Sequence, residues 1–326
     1  LLARLLLSAV IEGDRYDTAR YARRTIPPAF PTHQEEFWLQ LMARVEKKLD
    51  KLPHDTPIQW ARREISRRCR EATNQPGGIY RLNVPTGGGK TLASLRFALA
   101  HAAANKKSRV IFTSPLLSIL DQNAQVLRDY IGDDSLILEH HSNVVRQSPE
   151  AGPDELDPRE LLAENWNAPI IITTLVQLLN TLFDGRTTCI RRFQALCNCV
   201  LVIDEVQTVP PRMLTLFNLA INFLADFCGA TVVLCSATQP CLEEADHPME
   251  GNLKSLVPYD PELWAPFRRT RIVDAGARRL EEIPDFVQDV LEQAASLLVV
   301  CNTKKQAQFL YEQMTLEHVV CFHLSA

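Results

Sequence analysis

The chain has 326 residues, 46% of them hydrophobic, and a formal net charge of −4. That length suits about two domains with ample buried core, and the mild acidity excludes a global basic field for nucleic acid, so such binding would need local patches. No apolar run approaches a membrane span, and Leu1–Ile11, short and without a basic flank or small-residue cleavage site, reads as neither a span nor a signal peptide.

In chain order, Leu1–Ala22 predicts a helix, and the three prolines of Thr25–Pro31 break it. Gln34–Leu49 predicts a second helix, and Pro53–Pro57 a linker. Trp60–Ala72 predicts a third, carrying Arg62, Arg63, Arg67, Arg68 and Arg70, a basic run that reads as a solvated face or as one lying near phosphates. From Ile79 the pattern alternates strand and helix. Strands are predicted at Ile79–Val84, Arg109–Thr113, Leu136–Leu138, Ile170–Thr173, Val200–Ile203 and Thr231–Cys235, short runs rich in Val and Ile. That is the pattern of a parallel sheet covered on both faces. Glu150–Glu160 reads as an exposed acidic loop. Beyond Gln239-Pro240 the chain is polar and Pro-rich to about Pro266, a predicted connection between lobes. A second α/β lobe then begins: strand Arg271–Asp274, helix Glu281–Ala294, strand Ser296–Cys301, helix Lys304–Met314 and strand Val319–Phe322. The chain opens inside a helical pattern rather than at Met and stops after a strand-like run, so both ends are expected to be cut from something larger. The nine cysteines (Cys69, Cys189, Cys197, Cys199, Cys228, Cys235, Cys241, Cys301 and Cys321) make no CxxC pair and no Cys/His ligand spacing; they read as reduced core residues of a cytoplasmic protein.

Three segments carry chemistry. Val84-Pro85-Thr86-Gly87-Gly88-Gly89-Lys90-Thr91 lies between a predicted strand and the helical stretch Leu92–Ala104. Strand, glycine loop and helix together make a phosphate-binding loop, in which backbone N–H groups cradle phosphate oxygens, Lys90 reaches the β/γ phosphates and the Thr91 hydroxyl holds Mg²⁺. Val84 stands where the usual first glycine of the pattern falls, which suits a helicase-type loop. Val200–Gln207 delivers Asp204 and Glu205 from a strand end, Asp204 to hold Mg²⁺ and Glu205 to polarise the attacking water. Ser236-Ala237-Thr238 closes the next strand with hydroxyls able to hydrogen-bond both the acidic pair and the following loop.

In this order the three resemble motifs I, II and III of superfamily 2 helicases. The flanks Tyr80–Asn83 and Leu92–Leu99, with Leu138–Asn143, Glu164–Trp166, Pro169–Gln177 and Ala237–Pro240, resemble the CRISPR-associated helicase–nuclease of type I interference systems, and Gln207 closing motif II in place of His resembles its I-C subtype. The resemblance implies a RecA-like α/β fold, a P-loop NTPase with a parallel sheet flanked by helices. It implies the C-terminal helices of an HD nuclease domain over residues 1–50, a first RecA-like lobe over 51–255, and a linker with the start of an incomplete second lobe over 256–326. It implies an ATP-driven 3′-to-5′ single-stranded-DNA translocase, a cytoplasmic monomer without membrane attachment, recruited by an RNA-guided surveillance complex and feeding an HD nuclease. Lys90, Asp204 and Glu205 would be catalytic, Pro85–Thr91 would bind ATP, and Gln207, Ser236 and Thr238 would couple hydrolysis to movement. Pro115, Ser118 and Gln122 resemble motif Ia and Thr174 and Gln177 motif Ib, both for single-strand backbone contacts or as plain helix caps. Leu6–Thr18 resembles the last core helix of the HD domain, making Asp14 its final ligand for a divalent transition metal; one carboxylate cannot build that centre. Two alternatives stand beside this reading: a general DNA or RNA helicase of the same superfamily, and a fragment that only binds ATP or docks partners. Adjacent His140 and His141 read as a loop or nucleic-acid element or a metal pair, and Gln59 and Arg62 fall loosely where an adenine-reading motif lies.

Overall fold

The computed structural model describes residues 1–23, 34–141, 165–238, 240, 242–249, 253–314 and 320–324. The Glu150–Glu160 loop, the prolines of Thr25–Pro31, Ser142, Asn143, Glu164 and Gln239 fall outside them. Two units divide the chain, Leu1–Arg269 and Thr270–Ala326.

Six Val/Ile-rich segments of the first unit form β1 (Ile79–Asn83), β2 (Arg109–Ser114), β3 (Ile137–His140), β4 (Ile170–Thr174), β5 (Cys199–Ile203) and β6 (Thr231–Ser236), and the two-residue β7 (Lys254–Ser255) adds an unpredicted edge. All pairings are parallel, in the order β3-β4-β2-β5-β6-β1-β7. Successive side chains point to opposite faces, and both faces are covered. Val110, Ile172, Val202 and Val233 enter one apolar core; Ile111, Ile171, Leu201 and Leu234 enter the other. That is why these strands read as unbroken apolar runs.

Helices α1 (Leu2–Arg23), α2 (Gln34–Leu49), α3 (Pro57–Glu71), α4 (Lys90–Ala104), α5 (Leu117–Ile131), α6 (Leu175–Phe183), α7 (Thr187–Arg192), α8 (Leu214–Asp226) and α9 (Pro261–Trp264) complete the unit. Pro57 belongs to α3 rather than to a linker: Thr56 and Gln59 form a capping box, and Pro at the first helical position loses no hydrogen bond. α4 and α5 lie on the first core, and α2 packs on α4 through Trp38, Leu41, Met42 and Val45. Arg96 of α4 clasps Glu46 of α2 with two bonds of 2.6 and 2.5 Å. α6 and α8 cover the second core, and α1 rests on α7, where the Ser8 hydroxyl donates to the Arg191 carbonyl. Every described cysteine is free, as the absence of paired spacings predicts, and Cys241 lies outside the described residues.

In the second unit α10 (Ile283–Leu291) and α11 (Lys304–Gln313) form where helices are predicted. The strands expected at Arg271–Asp274, Ser296–Cys301 and residues 320–322 do not: none is laddered, and Ile272, Leu298 and Val300 are exposed. A helix satisfies its backbone within itself, whereas a strand exists only with a partner. No helix of the described residues is long and apolar enough to cross a membrane.

Candidate active site

Because the sheet is wholly parallel, every strand ends on one edge, and the crevice beyond that edge is where such folds bind ligands. β6 lies between β1 and β5, so three loops far apart in sequence meet there: the phosphate loop after β1, Ser236–Thr238 ending β6, and Asp204–Glu205 after β5.

The loop needs its glycines for two reasons. Gly87 and Gly89 sit at φ 81° and 80°, which side chains adopt only at a cost. Gly88 has ordinary φ but no room: a Cβ there would lie 2.9 Å from the Pro85 carbonyl, which accepts the Gly88 N–H at 2.9 Å. Gly89 is the N-cap of α4 and brings no capping side chain. The first N–H groups of α4 are left for a bound anion, as at phosphate sites generally.

Lys90 opens α4, and its Nζ donates to Glu205 Oε1 at 2.5 Å and lies 3.9 Å from Asp204 Oδ1. Gln207 Nε2 donates to the other Glu205 oxygen at 2.6 Å. Ser236 Oγ lies 2.6 Å from both Gln207 Oε1 and the Thr238 carbonyl, sharing its one proton between them, and accepts the Thr238 N–H at 2.9 Å. A continuous polar line thus runs Lys90–Glu205–Gln207–Ser236–Thr238. Glu205 itself is left-handed, φ 50° and ψ 50°, a conformation that costs a non-glycine residue about 1–2 kcal/mol. Its carbonyl is held by the Thr208 N–H and hydroxyl at 2.9 and 2.8 Å.

The two carboxyls are pushed apart. Burial raises Asp204 more than Lys90 lowers it, with Glu205 adding to the rise. Burial also acts on Glu205, but the hydrogen bonds from Lys90 and Gln207 outweigh it and hold this carboxyl below its usual range. Glu205 therefore stays ionised, in keeping with a proton acceptor. The Thr91 hydroxyl donates to Asn123 Oδ1 of α5 at 3.0 Å, and Thr91, Asn123 and Asp204 line one cavity with Lys90. Oxygen donors beside a half-buried carboxyl fit Mg²⁺, which takes few protein ligands and completes its shell with phosphate and water. Asn123 is the residue that motif reading missed, having picked its neighbour Gln122. The signal was present: Asn123 is a polar amide on the stripe Leu120, Ala124, Leu127 that α5 buries.

Other predicted residues fall outside this line. Ser118 and Gln122 are exposed at the start of α5, after half-buried Pro115. α5 has Leu116 at its N-cap and no side-chain cap, so Ser118 does not cap it. Thr174 does cap α6, accepting the Gln177 N–H at 3.2 Å, while Gln177 Oε1 accepts from Arg192 at 3.1 Å. Gln59 Oε1 is engaged by the Asp55 and Thr56 N–H groups, both at 3.1 Å. His140 and His141 are both buried, and His140 lies edge-on to Trp166, with burial driving its imidazole down to about 3. Asp14 is exposed on α1. Among the described residues no group of three His, Cys, Asp or Glu side chains could hold a metal.

Comparison with known proteins agrees with this edge. The model of the DEAD/DEAH box helicase family matches residues 64–246. The chain is 26% identical over 182 residues to the CRISPR-associated nuclease/helicase Cas3 of Haloferax volcanii, an alignment covering 50% of this chain and 19% of that protein. Among solved structures, T. fusca Cas3 matches with TM-score 0.54 at 17% identity, over 89% of this chain and 37% of the other. Its ATP-bound form matches with TM-score 0.53 at 18% identity, over 89% and 36%. These likenesses establish a shared fold, and the chain spans about a fifth of the curated relative's length. The family match takes in the phosphate loop, the acidic pair and the Ser236–Thr238 turn that the parallel sheet brings together, and the chain belongs to the DEAD/DEAH box helicase family.

Proposed function

We propose that this chain is the motor of an ATP-dependent single-stranded-DNA translocase of the Cas3 kind, with residues 51–255 as its first RecA-like lobe and 256–326 as the linker and start of a second. The observation that carries the reading is the polar line from Lys90 to Thr238, because it joins the phosphate loop to a segment beyond the site. ATP would lay its phosphates on Gly87–Thr91 and draw Lys90 away from Glu205. Thr91 and Asp204 would hold Mg²⁺, which neutralises charge on the phosphates. Glu205, released from Lys90 and already ionised, takes the proton of the attacking water. Losing Lys90 also frees Glu205 to shift Gln207, and with it Ser236 and Thr238, so that occupancy of the loop is felt at the end of β6. Exposed Ser118 and Gln122, with Pro115, Thr174 and Gln177 on the same sheet edge, would face the DNA backbone.

In the whole protein the likeness to Cas3 supports recruitment by an RNA-guided surveillance complex, in the cytoplasm of a prokaryote, in defence against foreign DNA. The similarity of Leu6–Thr18 to a last HD helix supports a nuclease to which the motor feeds its strand, with residues 1–50 as the end of that domain. The test is ATP hydrolysis by the intact protein with and without single-stranded DNA. DNA stimulates wild type, and Lys90→Ala abolishes the activity. Absence of stimulation, or a Lys90→Ala rate equal to wild type, removes the translocase reading.

A further inference from the structure

The arginine run of α3 is divided between two roles. Arg67 pairs with Glu64 and Glu71, Arg68 with Glu64 and Asp260, and Arg70 with Glu46. Arg62 instead reaches the phosphate loop: its Nε donates to the Gly87 carbonyl at 2.7 Å. Its stem lies over Gly89, with Cγ and Cβ at 3.6 and 3.8 Å from where a Cβ on that glycine would stand. A second guanidinium arrives from the far end of the same unit. Arg269 Nη2 lies 3.3 Å, and Arg62 Nη2 3.7 Å, from the single point that a Gly87 Cβ would occupy. Among the described residues neither guanidinium is in an ion pair with a carboxylate.

Two like charges that converge over a glycine loop with no acid between them want an anion. The glycines beneath are open to one, since Gly87 is exposed and carries no side chain. Guanidinium suits phosphate better than ammonium does, because its planar fork gives paired, directional donors. Arg269 is also the last residue before the second unit begins.

We propose that Arg62 and Arg269 are positioning residues of the nucleotide site that close over Gly87 and take the outer oxygens of the phosphate tail. This rests on the reading of residues 84–91 as a nucleotide loop. In the bound state Arg62 exchanges the Gly87 carbonyl for phosphate, and the site gains two charges that Lys90 alone does not supply. Adenine and ribose play no part in the contact.

The test uses the intact protein and a fluorescent N-methylanthraniloyl ATP, displaced in competition by inorganic tripolyphosphate or by adenosine. Arg62→Ala and Arg269→Ala are each expected to weaken ATP and tripolyphosphate by about 10- to 100-fold, the range of one charge-assisted contact. Adenosine affinity stays as in wild type, and Arg269→Lys recovers part of the loss. In steady state the KM for ATP rises in both alanine variants while kcat changes little, a split that a folding defect would not produce. Wild-type affinity for tripolyphosphate in both alanine variants overturns the proposal, as does an equal loss of adenosine binding, which would place the arginines on the base. Lys90→Ala separates the two levels of the argument. If it loses ATP while the arginine variants do not, the nucleotide loop stands and the clamp falls; if it binds as wild type, both fall.

Discussion

Glu205 is the residue whose backbone and side chain make opposite demands, and substitution separates them. Its φ of 50° places it in the left-handed region, held there by two bonds from Thr208 to its carbonyl. Glu205→Ala and Glu205→Gly remove the same side-chain contacts to Lys90 and Gln207, so that loss cancels between them. Alanine keeps a left-handed cost of about 1–2 kcal/mol that glycine does not bear. Glycine in turn costs about 0.5–1 kcal/mol in unfolded-state entropy. Taken at the middle of each range, the balance leaves the glycine variant more stable than the alanine variant by roughly 0.75 kcal/mol. At an ordinary position the order is the reverse. The measurement is a urea transition of the first unit followed by the fluorescence of Trp38 and Trp166, both fully buried. Both variants should also hydrolyse ATP more slowly by about 10²–10⁴, the usual worth of a positioned proton acceptor. An alanine variant as stable as the glycine one would refute the backbone argument. Hydrolysis within a few-fold of wild type would refute the role of the carboxylate.

Two further outcomes follow from the same geometry. Gly88→Ala forces a Cβ to 2.9 Å from the Pro85 carbonyl, so the phosphate loop must shift; ATP affinity measured by titration should fall more than tenfold, about 1.4 kcal/mol or more, with the urea midpoint nearly kept. His101 is fully buried between the Thr73 carbonyl and the Thr231 hydroxyl, and burial, with a smaller push from Lys107, lowers its imidazole to about 4. Below pH 6.5 the unfolded chain takes up a proton that the folded one refuses, so stability is full above that pH and is lost as the pH falls toward 4. Between pH 7 and 5 this one group should cost about 2 kcal/mol, seen as a urea-midpoint shift that His101→Gln lacks; an equal shift in both proteins would refute the assignment.

The residues that the fold gathers at this edge were legible because side-chain identity carries most of their signal. A lysine after glycines, an acidic pair at a strand end and a hydroxyl turn announce themselves once strand, loop and helix are read in order around them. The strands of the first unit were legible because burial on both faces writes them as apolar runs. What sequence did not show depends on backbone state or on a partner from elsewhere. Glu205 reads as a plain acid, and nothing in its neighbours announces a left-handed φ. Arg62 stands in a run of five arginines, and only the fold shows that it lies over Gly87 while Arg67, Arg68 and Arg70 pair with acids. The second unit draws the same distinction in secondary structure. Lys304–Gln313 needs only its own backbone and a Thr303 cap, whereas Ser296–Cys301 needs a neighbour.

The strand order explains why a linear motif list falls short of a mechanism. In sequence the acidic pair precedes the Ser236 turn, which suggests a relay running from loop to acids to turn. In space β6 stands between β1 and β5, registering Asn83 against Ser236 and Ile203 against Leu234. The turn is therefore a neighbour of both the phosphate loop and the acids, and one serine hydroxyl can accompany Gln207 while its strand flanks the loop. A β1-β5-β6 order would carry the same motifs and still bind phosphate, but Ser236 would then be separated from β1 by a strand width of about 4.8 Å more. The coupling proposed above would thus depend on a crossover between strands, a property of the chain's path that no single motif contains.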